Sequence, residues 1–264
     1  MKFTVILPIH NEEALLPLSL PSVYALHPSE VLVAIDRCTD HSEALVKYVA
    51  EMHPEVNTVI RRFGETEGKG WNFRSAYLRR TLYAEAENDV IMNTSADLWM
   101  DPAIAKHLSE VGHPYGLISF AYLDYPWTYV TFIRRLLNTL RPGKGFSGLL
   151  ALSKRAWQRS EDLEDLKKIP QGEDTHLSKS MVGKYRQTNR LTYSRHLRPH
   201  GGFADSYLTG VAYHDQLHYR DLKMLTYCLM FMDPVPLVGL RHARAMKGCM
   251  NWRQGDIIYR QRVG

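Results

Sequence analysis

The chain has 264 residues, and at about 150 residues per domain that length predicts one large domain or two small ones. Hydrophobic residues make up 45% and charged residues 23% of the sequence, which argues against a disordered, collagen-like or coiled-coil protein. The net charge of +5 is small and spread along the chain. It suits an anionic small substrate or a membrane surface, and it gives nucleic-acid binding little support.

The cysteines indicate a reducing compartment. Cys38, Cys228 and Cys249 are far apart and form no CxxC pair. Neither a disulfide framework nor a zinc knuckle is therefore predicted.

Two apolar segments are candidates for membrane or targeting elements. The segment Phe3 to Pro8 is too short for a signal peptide or an anchor. The segment Met224 to Leu240 is the most apolar, but an aspartate and two prolines interrupt it, whereas a spanning helix needs about 20 apolar residues. Docking of this second segment on a membrane face stays open.

The first half of the chain alternates short apolar runs with windows of helical spacing, which is typical of βαβ units around a mostly parallel sheet. The predicted strands are Thr4 to Pro8, Val31 to Ile35, Thr58 to Arg61, Val90 to Asn93 and Leu117 to Ala121. The predicted helices are Leu15 to Leu26, Ser42 to Glu51, Trp71 to Glu85 and Ile104 to Val111. Continuous apolar strands such as FTVIL and VLVAI indicate burial on both faces, so we expect an α/β fold with helices on both sides of the sheet.

The second half is less regular and shows no composition break that would mark a domain boundary. The predicted strands there are Gly148 to Ser153, Arg190 to Tyr193 and Leu208 to Tyr213. The predicted helices are Trp127 to Leu140, Asp174 to Val182 and Tyr219 to Met230. A basic arm from residue 241 to residue 264 follows.

Polar residues cluster directly after three of the predicted strands, where ligands bind in open α/β sheets. These residues are His10, Asn11 and Glu12 after the first strand, Asp36 to Asp40 after the second, and Ser95 and Asp97 after the fourth. Taken singly, several could be helix caps: Asn11 for the helix from Leu15, and Thr39 or Asp40 for the helix from Ser42.

Taken together and in order, these segments resemble the family 2 glycosyltransferases of the GT-A fold. The segments are ILPIHNEE, VAIDRCTDHSE, EGKGWNFRSAY, VIMNTSADLWMDP, GFSGLLALSKRAW and QGEDTHLSKSMVGKY. The resemblance covers about Lys2 to Tyr219. It implies a GT-A domain over residues 1–240, with a nucleotide-binding part over about 1–120 and an acceptor part over about 121–240.

The resemblance also implies residue roles. Asp36 would contact the nucleotide base, Asp97 would bind the metal and Asp174 would be the catalytic base, although Asp174 could also be only a helix cap. The remaining donor-site positions are Pro8, His10, Asn11, Glu12, Lys69, Asn72 and Ser95.

The sequence departs from the family pattern at Ser95, where the first aspartate of the metal-binding motif usually lies. Magnesium at phosphate sites is often held by one or two carboxylates plus substrate oxygens and water, so Asp97 with a diphosphate could suffice. In some relatives a histidine also binds the metal, and His214 is our choice here. The expected cofactor is Mn²⁺ or Mg²⁺.

The resulting prediction is an inverting, metal-assisted hexosyltransferase that uses a UDP- or GDP-sugar and a saccharide or lipid-linked acceptor. We expect it in the cytoplasm, with peripheral contact at the inner face of the membrane left open. Two alternatives remain. One is a non-catalytic GT-A-like protein that binds a nucleotide or sugar, for which Ser95 is the best argument. The other is a sugar-phosphate nucleotidyltransferase, which normally has a glycine-rich loop that HNEEALLPL lacks.

Overall fold

The structure, a computed structural model, describes residues 1–71, 73–113, 115–120, 123–125, 149–159, 177, 184–188 and 194–199. The chain forms two compact units. The first comprises residues 1–69, 75–162 and 174–199 and contains the sheets described below. The second comprises residues 70–74, 163–173 and 200–264, of which the structure describes residues 70, 71, 73 and 74.

The described strands, in chain order, are β1 Thr4–Ile9, β2 Glu30–Asp36, β3 Asn57–Phe63, β4 Val90–Asn93, β5 Leu98–Met100, β6 Tyr115–Phe120, β7 Leu123–Tyr125, β8 Leu150–Ser153, β9 Lys184–Thr188 and β10 Ser194–Pro199. The described helices are α1 Leu16–Tyr24, α2 Ser42–Glu51, α3 Arg74–Glu85, a 3₁₀ turn Pro102–Ile104, α4 Ala105–Leu108 and α5 Lys154–Gln158.

Seven strands form one sheet in the order β3-β2-β1-β4-β8-β6-β9. Six of them run in one direction and β8 runs against its neighbours β4 and β6. The prediction of a mostly parallel α/β sheet is therefore confirmed. Because β1, β2, β3 and β4 are parallel, all four end at the same side of the sheet, which we call the carboxyl end.

The central strands of the large sheet are buried on both faces by two apolar cores, whereas β3 is mostly exposed or half-buried. Alternate residues of β1 divide between them: Val5, Leu7 and Ile9 face one core, which α1, α2 and α4 cover, while Ile6 faces the other, which α3 and α5 cover. This arrangement confirms helices on both faces. It also explains why β1 and β2 consist of continuous apolar residues, since neither face of these strands meets water.

A second, three-stranded sheet has the order β5-β10-β7. The sequence patterns did not predict β5, β7, β9 or β10. Strands β5 and β7 have three residues each, which is too short for a periodic signal. Strands β9 (KYRQT) and β10 (SRHLRP) are mostly polar and lack an apolar run, so they form by pairing with other strands.

Strand β3 lies at one side of the large sheet and pairs with β2. Neighbouring arginines of β3 form ion pairs with helices on opposite faces of the sheet. Nε of Arg61 lies 2.9 Å from Oε2 of Glu85 in α3, and Nε of Arg62 lies 2.8 Å from Oε2 of Glu43 in α2.

Five predicted elements lie wholly or almost wholly outside the described residues: Trp127 to Leu140, Asp174 to Val182, Arg190 to Tyr193, Leu208 to Tyr213 and Tyr219 to Met230. Within the part of the chain that is described, no helix is long and apolar enough to cross a membrane.

Candidate functional site

His10 follows β1 and contacts the end of β2. Its Nδ1 lies 2.6 Å from the main-chain oxygen of Asp36. A carbonyl oxygen only accepts hydrogen bonds, so Nδ1 carries the proton, and Nε2 is an acceptor whenever the ring is neutral. Nε2 is buried and has no hydrogen-bond partner among the described residues. The structure thus brings together two of the predicted donor-site residues.

The loops after β1 and β2 are joined by hydrogen bonds that we call the loop bridge. The bridge links residues 11–13 to residues 39–42: Thr39 N donates to Asn11 Oδ1 at 2.8 Å, Glu12 N donates to Ser42 Oγ at 2.8 Å, and Glu13 N donates to Asp40 Oδ2 at 3.0 Å. A further pair joins His41 to Glu13. These contacts fix the shape of the carboxyl end of the sheet beside β1 and β2.

Asn11 does not cap the first helix, contrary to one expectation. The cap position of α1 is Leu15, which makes no side-chain cap, while the Asn11 amide oxygen accepts from the second loop instead. Asn11 has a φ of 52°, a left-handed conformation that asparagine tolerates better than most residues. Neither Thr39 nor Asp40 occupies the cap position of α2, which is His41 and makes no side-chain cap. Asp40 lies one residue before it, and its Oδ1 accepts from Ser42 N at 3.0 Å at the start of α2.

Pro8 and Glu12 lie on either side of the end of β1. Pro8 is the penultimate residue of that strand, in register with Ala34 of β2. Glu12 is buried, and its main-chain oxygen accepts from Leu15 N and Leu16 N at the start of α1. In the structure these two residues shape the backbone of the site.

The Asp36 carboxylate is buried at the end of β2 and is held by its neighbour in sequence. Nε of Arg37 donates to Oδ1 at 3.2 Å, and Nη2 donates to Oδ2 at 3.1 Å. Nη1 of Arg37 lies 3.7 Å from Oε2 of Glu65, an ion-pair distance longer than a hydrogen bond. Partial burial lowers the pKa of Arg37, but the contacts with Asp36 and Glu65 outweigh it and raise the pKa above its ordinary value. Arg37 is therefore always charged.

Asp97 lies four residues beyond the end of β4 and is 5% exposed. Its Oδ1 accepts a hydrogen bond of 2.5 Å from Ser95 Oγ, and its main-chain oxygen accepts from Leu197 N at 2.8 Å. Thr94 N donates to Ile6 O, which ties this segment to β1. Ser95 thus supports the carboxylate of Asp97 where a second carboxylate would lie in the family pattern.

An aromatic and a cationic side chain adjoin Asp97 on the second sheet. The guanidinium of Arg195 in β10 lies 5.5 Å from the ring centroid of Trp99 in β5. The two residues are directly paired across the strands. This cation–π contact stabilises the pairing of β5 with β10, which in turn holds the backbone of Asp97.

Lys69 is exposed in the loop between β3 and α3. The glycines on both sides have positive φ angles, 74° at Gly68 and 91° at Gly70, so the loop needs both of them. The loop begins at the carboxyl end of the sheet, because β3 ends there. Asn72 lies outside the described residues.

The residues near Asp97 provide one carboxylate for a divalent cation. Within the described residues no group of three or more His, Cys, Asp or Glu side chains could hold a metal ion. A single carboxylate that is supported by a hydroxyl still fits Mg²⁺ or Mn²⁺ when diphosphate oxygens and water complete the coordination. Asp174 and His214 lie outside the described residues.

The sequence interpretation gave no role in this site to Arg37, Glu13 or Ser42, although Glu13 and Arg37 belong to the polar segments that follow the first two predicted strands. Each of them adjoins a predicted residue in sequence, so position alone could have indicated them. The paired hydrogen bonds from the Arg37 guanidinium to the Asp36 carboxylate were not predictable, because the side chains of adjacent residues in an extended strand point to opposite faces. Only the left-handed turn at Arg37, with a φ of 50°, brings the guanidinium back to the carboxylate.

A sequence model of the family described as glycosyl transferase family 2 matches residues 4–163, which is more than half of the chain. No curated protein matches the chain in sequence.

Several solved structures resemble the fold. The structure of residues 1–349 of TarS from S. aureus has a TM-score of 0.55 and 16% identity. The match covers 81% of this chain and 66% of the TarS chain, so this chain spans just under two thirds of the length of that protein. The mannosyltransferase PcManGT from Pyrobaculum calidifontis, in complex with GDP-Man and Mn²⁺, has a TM-score of 0.60 and 17% identity over 96% of this chain and 77% of that one. GalNAc-T7 with UDP, GalNAc and Mn²⁺ has a TM-score of 0.51 and 13% identity, and the match covers 89% of this chain and 59% of the GalNAc-T7 chain. At these identities the likeness shows the fold, which is of the GT-A type.

Proposed function

The chain belongs to glycosyl transferase family 2, and on that premise we propose that it is an inverting hexosyltransferase that uses a nucleoside-diphosphate sugar. The observation that carries the proposal is the position of Asp97. A buried carboxylate lies just beyond the end of β4, beside β1, at the carboxyl end of the sheet. That is where ligands bind in open α/β sheets.

The donor would lie against the loop bridge and the ends of β1 and β2, within a nucleotide-binding part of about residues 1–120. Its proposed contacts are Pro8, His10, Asn11, Glu12, Asp36, Lys69, Asn72, Ser95 and Asp97. One TarS structure holds UDP-GlcNAc and the PcManGT structure holds GDP-Man, which supports a UDP- or GDP-sugar as the donor.

A divalent cation, Mn²⁺ or Mg²⁺, would be held by Asp97 and the diphosphate, with His214 as a second protein ligand. When bound, such a cation neutralises the charge that develops on the leaving diphosphate. The PcManGT and GalNAc-T7 structures contain Mn²⁺, which supports this assignment. Ser95 would keep the Asp97 carboxylate oriented through its hydrogen bond.

Asp174 would act as the general base. As the acceptor oxygen bonds to the anomeric carbon, its proton passes to the Asp174 carboxylate and the bond to the diphosphate oxygen breaks. Direct displacement inverts the anomeric configuration. The acceptor, a saccharide or a lipid-linked molecule, would bind to a part formed by about residues 121–240, followed by the basic arm 241–264.

We place the enzyme in the cytoplasm, with Met224 to Leu240 as the segment for a peripheral contact at the inner face of the membrane. The spacing of the cysteines supports a reducing compartment, since the three of them lie far apart in the sequence and form no CxxC pair.

The first experiment is calorimetric titration of the full chain with UDP and GDP, with Mn²⁺ or with a chelator. We expect metal to tighten binding by about tenfold or more, equivalent to about 1.4 kcal/mol, and Asp97→Ala to remove that gain. Glu51→Ala is the control, since it removes an exposed carboxylate at the end of α2 and should leave the gain from metal unchanged. Equal affinity with metal and with chelator would contradict the metal role.

A second candidate function is a binding protein without catalysis, which Ser95 favours because it replaces a carboxylate of the family pattern. Transfer rates separate the two functions. If Asp174 is the base, Asp174→Asn lowers turnover by about 10²- to 10⁴-fold with little change in donor affinity. No turnover by the natural chain, across a broad panel of donors and acceptors, would favour the binding protein.

A further inference from the structure

The Asp36 carboxylate is already engaged at the place where the family pattern puts a base-contacting aspartate. Both of its oxygens accept hydrogen bonds from Arg37, at 3.2 Å from Nε and 3.1 Å from Nη2. The aspartate is 3% exposed, whereas the Arg37 side chain is 30% exposed. A base that approaches the end of β2 therefore meets the guanidinium.

Arg37 keeps a second pair of donors beyond the pair that holds Asp36. A guanidinium has five N–H groups in one plane, and the Asp36 carboxylate accepts from those of Nε and Nη2 along one side of that plane. The other side, formed by Nη1 and the second N–H of Nη2, makes no hydrogen bond to the described residues. On that side Nη1 forms an ion pair with the exposed carboxylate of Glu65, whose Oε2 lies 3.7 Å away.

The backbone conformation that holds the Arg37 guanidinium beside Asp36 is strained. Arg37 has a φ of 50°, a left-handed conformation that costs a residue with a side chain about 1 kcal/mol or more, and its N–H donates to Phe63 O at 3.1 Å at the end of β3. Strained residues of this kind concentrate at sites of function. The strain points to a task for the Arg37 side chain beyond packing.

Two parallel N–H donors distinguish the nucleobases. Guanine offers two acceptors side by side, O6 and N7, which match a guanidinium in a bidentate pair. Uracil offers one acceptor, O4, on the corresponding edge. Adenine and cytosine offer an amino group there, whose hydrogens face the donors.

We propose that Arg37, held by Asp36, selects guanine, so that the donor is a GDP-sugar rather than a UDP-sugar. The inference rests on the proposed function, since it assumes that a nucleotide base lies at the end of β2. It assigns the choice of base to a residue outside the family pattern, and it leaves Asp36 as the positioning residue that orients Arg37.

The test is calorimetric titration of the full chain, in the presence of Mn²⁺, with GDP, UDP, ADP, CDP and 7-deaza-GDP, which lacks the N7 acceptor. We expect GDP to bind about 10- to 100-fold more tightly than UDP, the range of one bidentate contact with guanine. We expect 7-deaza-GDP to bind about tenfold more weakly than GDP. In Arg37→Lys and Arg37→Met, GDP, 7-deaza-GDP and UDP should bind with affinities within about threefold of one another.

Arg62→Met is the matched control, since it removes an arginine that pairs with Glu43 and should leave the preference for guanine unchanged. A loss of affinity for GDP and UDP by the same factor in Arg37→Lys would overturn the proposal, because it would place the diphosphate at Arg37. Equal or tighter binding of UDP by the natural chain would overturn it while leaving the proposed function intact. Failure of every nucleoside diphosphate to bind would instead contradict the proposed function. Thermal unfolding of each variant verifies that it is folded.

Discussion

Asp40 should contribute more to stability than its position in a surface loop indicates. Its carboxylate accepts two backbone hydrogen bonds of 3.0 Å, one from Glu13 N and one from Ser42 N at the first turn of α2. Asp40→Ala removes both acceptors. It frees one end of the loop bridge and leaves the start of α2 without its side-chain acceptor.

The expected loss follows from these two contacts. A hydrogen bond to a charged group contributes about 1.5–3 kcal/mol, and we expect each of these two bonds to contribute less because Asp40 is partly exposed. We therefore expect Asp40→Ala to destabilise the protein by about 2 kcal/mol, or a fall in Tm of about 4–8 °C for a chain of this size. Asp40→Asn keeps one oxygen acceptor and should lose about half as much.

Urea denaturation at about pH 7 and about pH 3 tests this reasoning. Burial raises the pKa of Asp40, but hydrogen bonds from Ser42 and Glu13 outweigh it, so the folded pKa lies below its ordinary value of 3.8. The stabilisation is therefore present above pH 3.8 and is lost as the pH falls through the folded pKa. Glu51→Ala, at an exposed position at the end of α2, is the control and should change stability by less than about 0.5 kcal/mol. Equal effects of Asp40→Ala and Glu51→Ala at neutral pH would refute the role of the loop bridge.

Hydrogen bonds from Arg62 lower the pKa of Glu43 from 4.5 to about 2, so its contribution is present above pH 4.5 and is lost as the pH falls towards 2. Because this pair lies at the surface, Glu43→Gln should cost about 1 kcal/mol at neutral pH, and denaturation curves should converge with those of the natural chain in acid. Gly68→Ala should destabilise the protein by about 1–3 kcal/mol more than Gly70→Ala, as measured by thermal unfolding. Both positions have positive φ, but only at Gly68 would the added Cβ lie 2.8 Å from the ring of Tyr77. Equal losses at the two glycines would show that backbone conformation alone sets the cost.

The sequence predicts the central elements of the fold well. The bounds of β4 and α2 match the predicted Val90 to Asn93 and Ser42 to Glu51. Strand β1 is one residue longer than predicted at its end, and β2 is one residue longer at both ends. These elements have strong patterns because one or both of their faces pack against a large core. By contrast, β5 has three residues, and its strand conformation depends on pairing with β10, about a hundred residues later. No local pattern contains that information.

The site is predictable as a set of positions but not as a set of contacts. Asp36 and Asp97 lie after β2 and β4 as expected, since polar residues at strand ends gather at one side of a parallel sheet. What each side chain contacts depends on backbone turns. The positive φ of Asn11 turns its side chain towards the loop after β2, and the positive φ of Arg37 turns its side chain towards Asp36. Few residues other than glycine adopt this conformation, so residue type gave little indication of it.

Among the described residues β3 pairs with β2 alone, so the other side of its backbone has no strand partner in that part of the chain. A strand of another chain that pairs there would be a starting point for aggregation. Arg61 and Arg62 form their ion pairs with Glu85 and Glu43 on the two faces beside that backbone. An incoming strand would remove these charges from water, at a cost that apolar side chains would not impose. Exposed ion pairs add only about 0–1 kcal/mol to folding, so we expect these two to matter more as a cost to any strand that adds to β3.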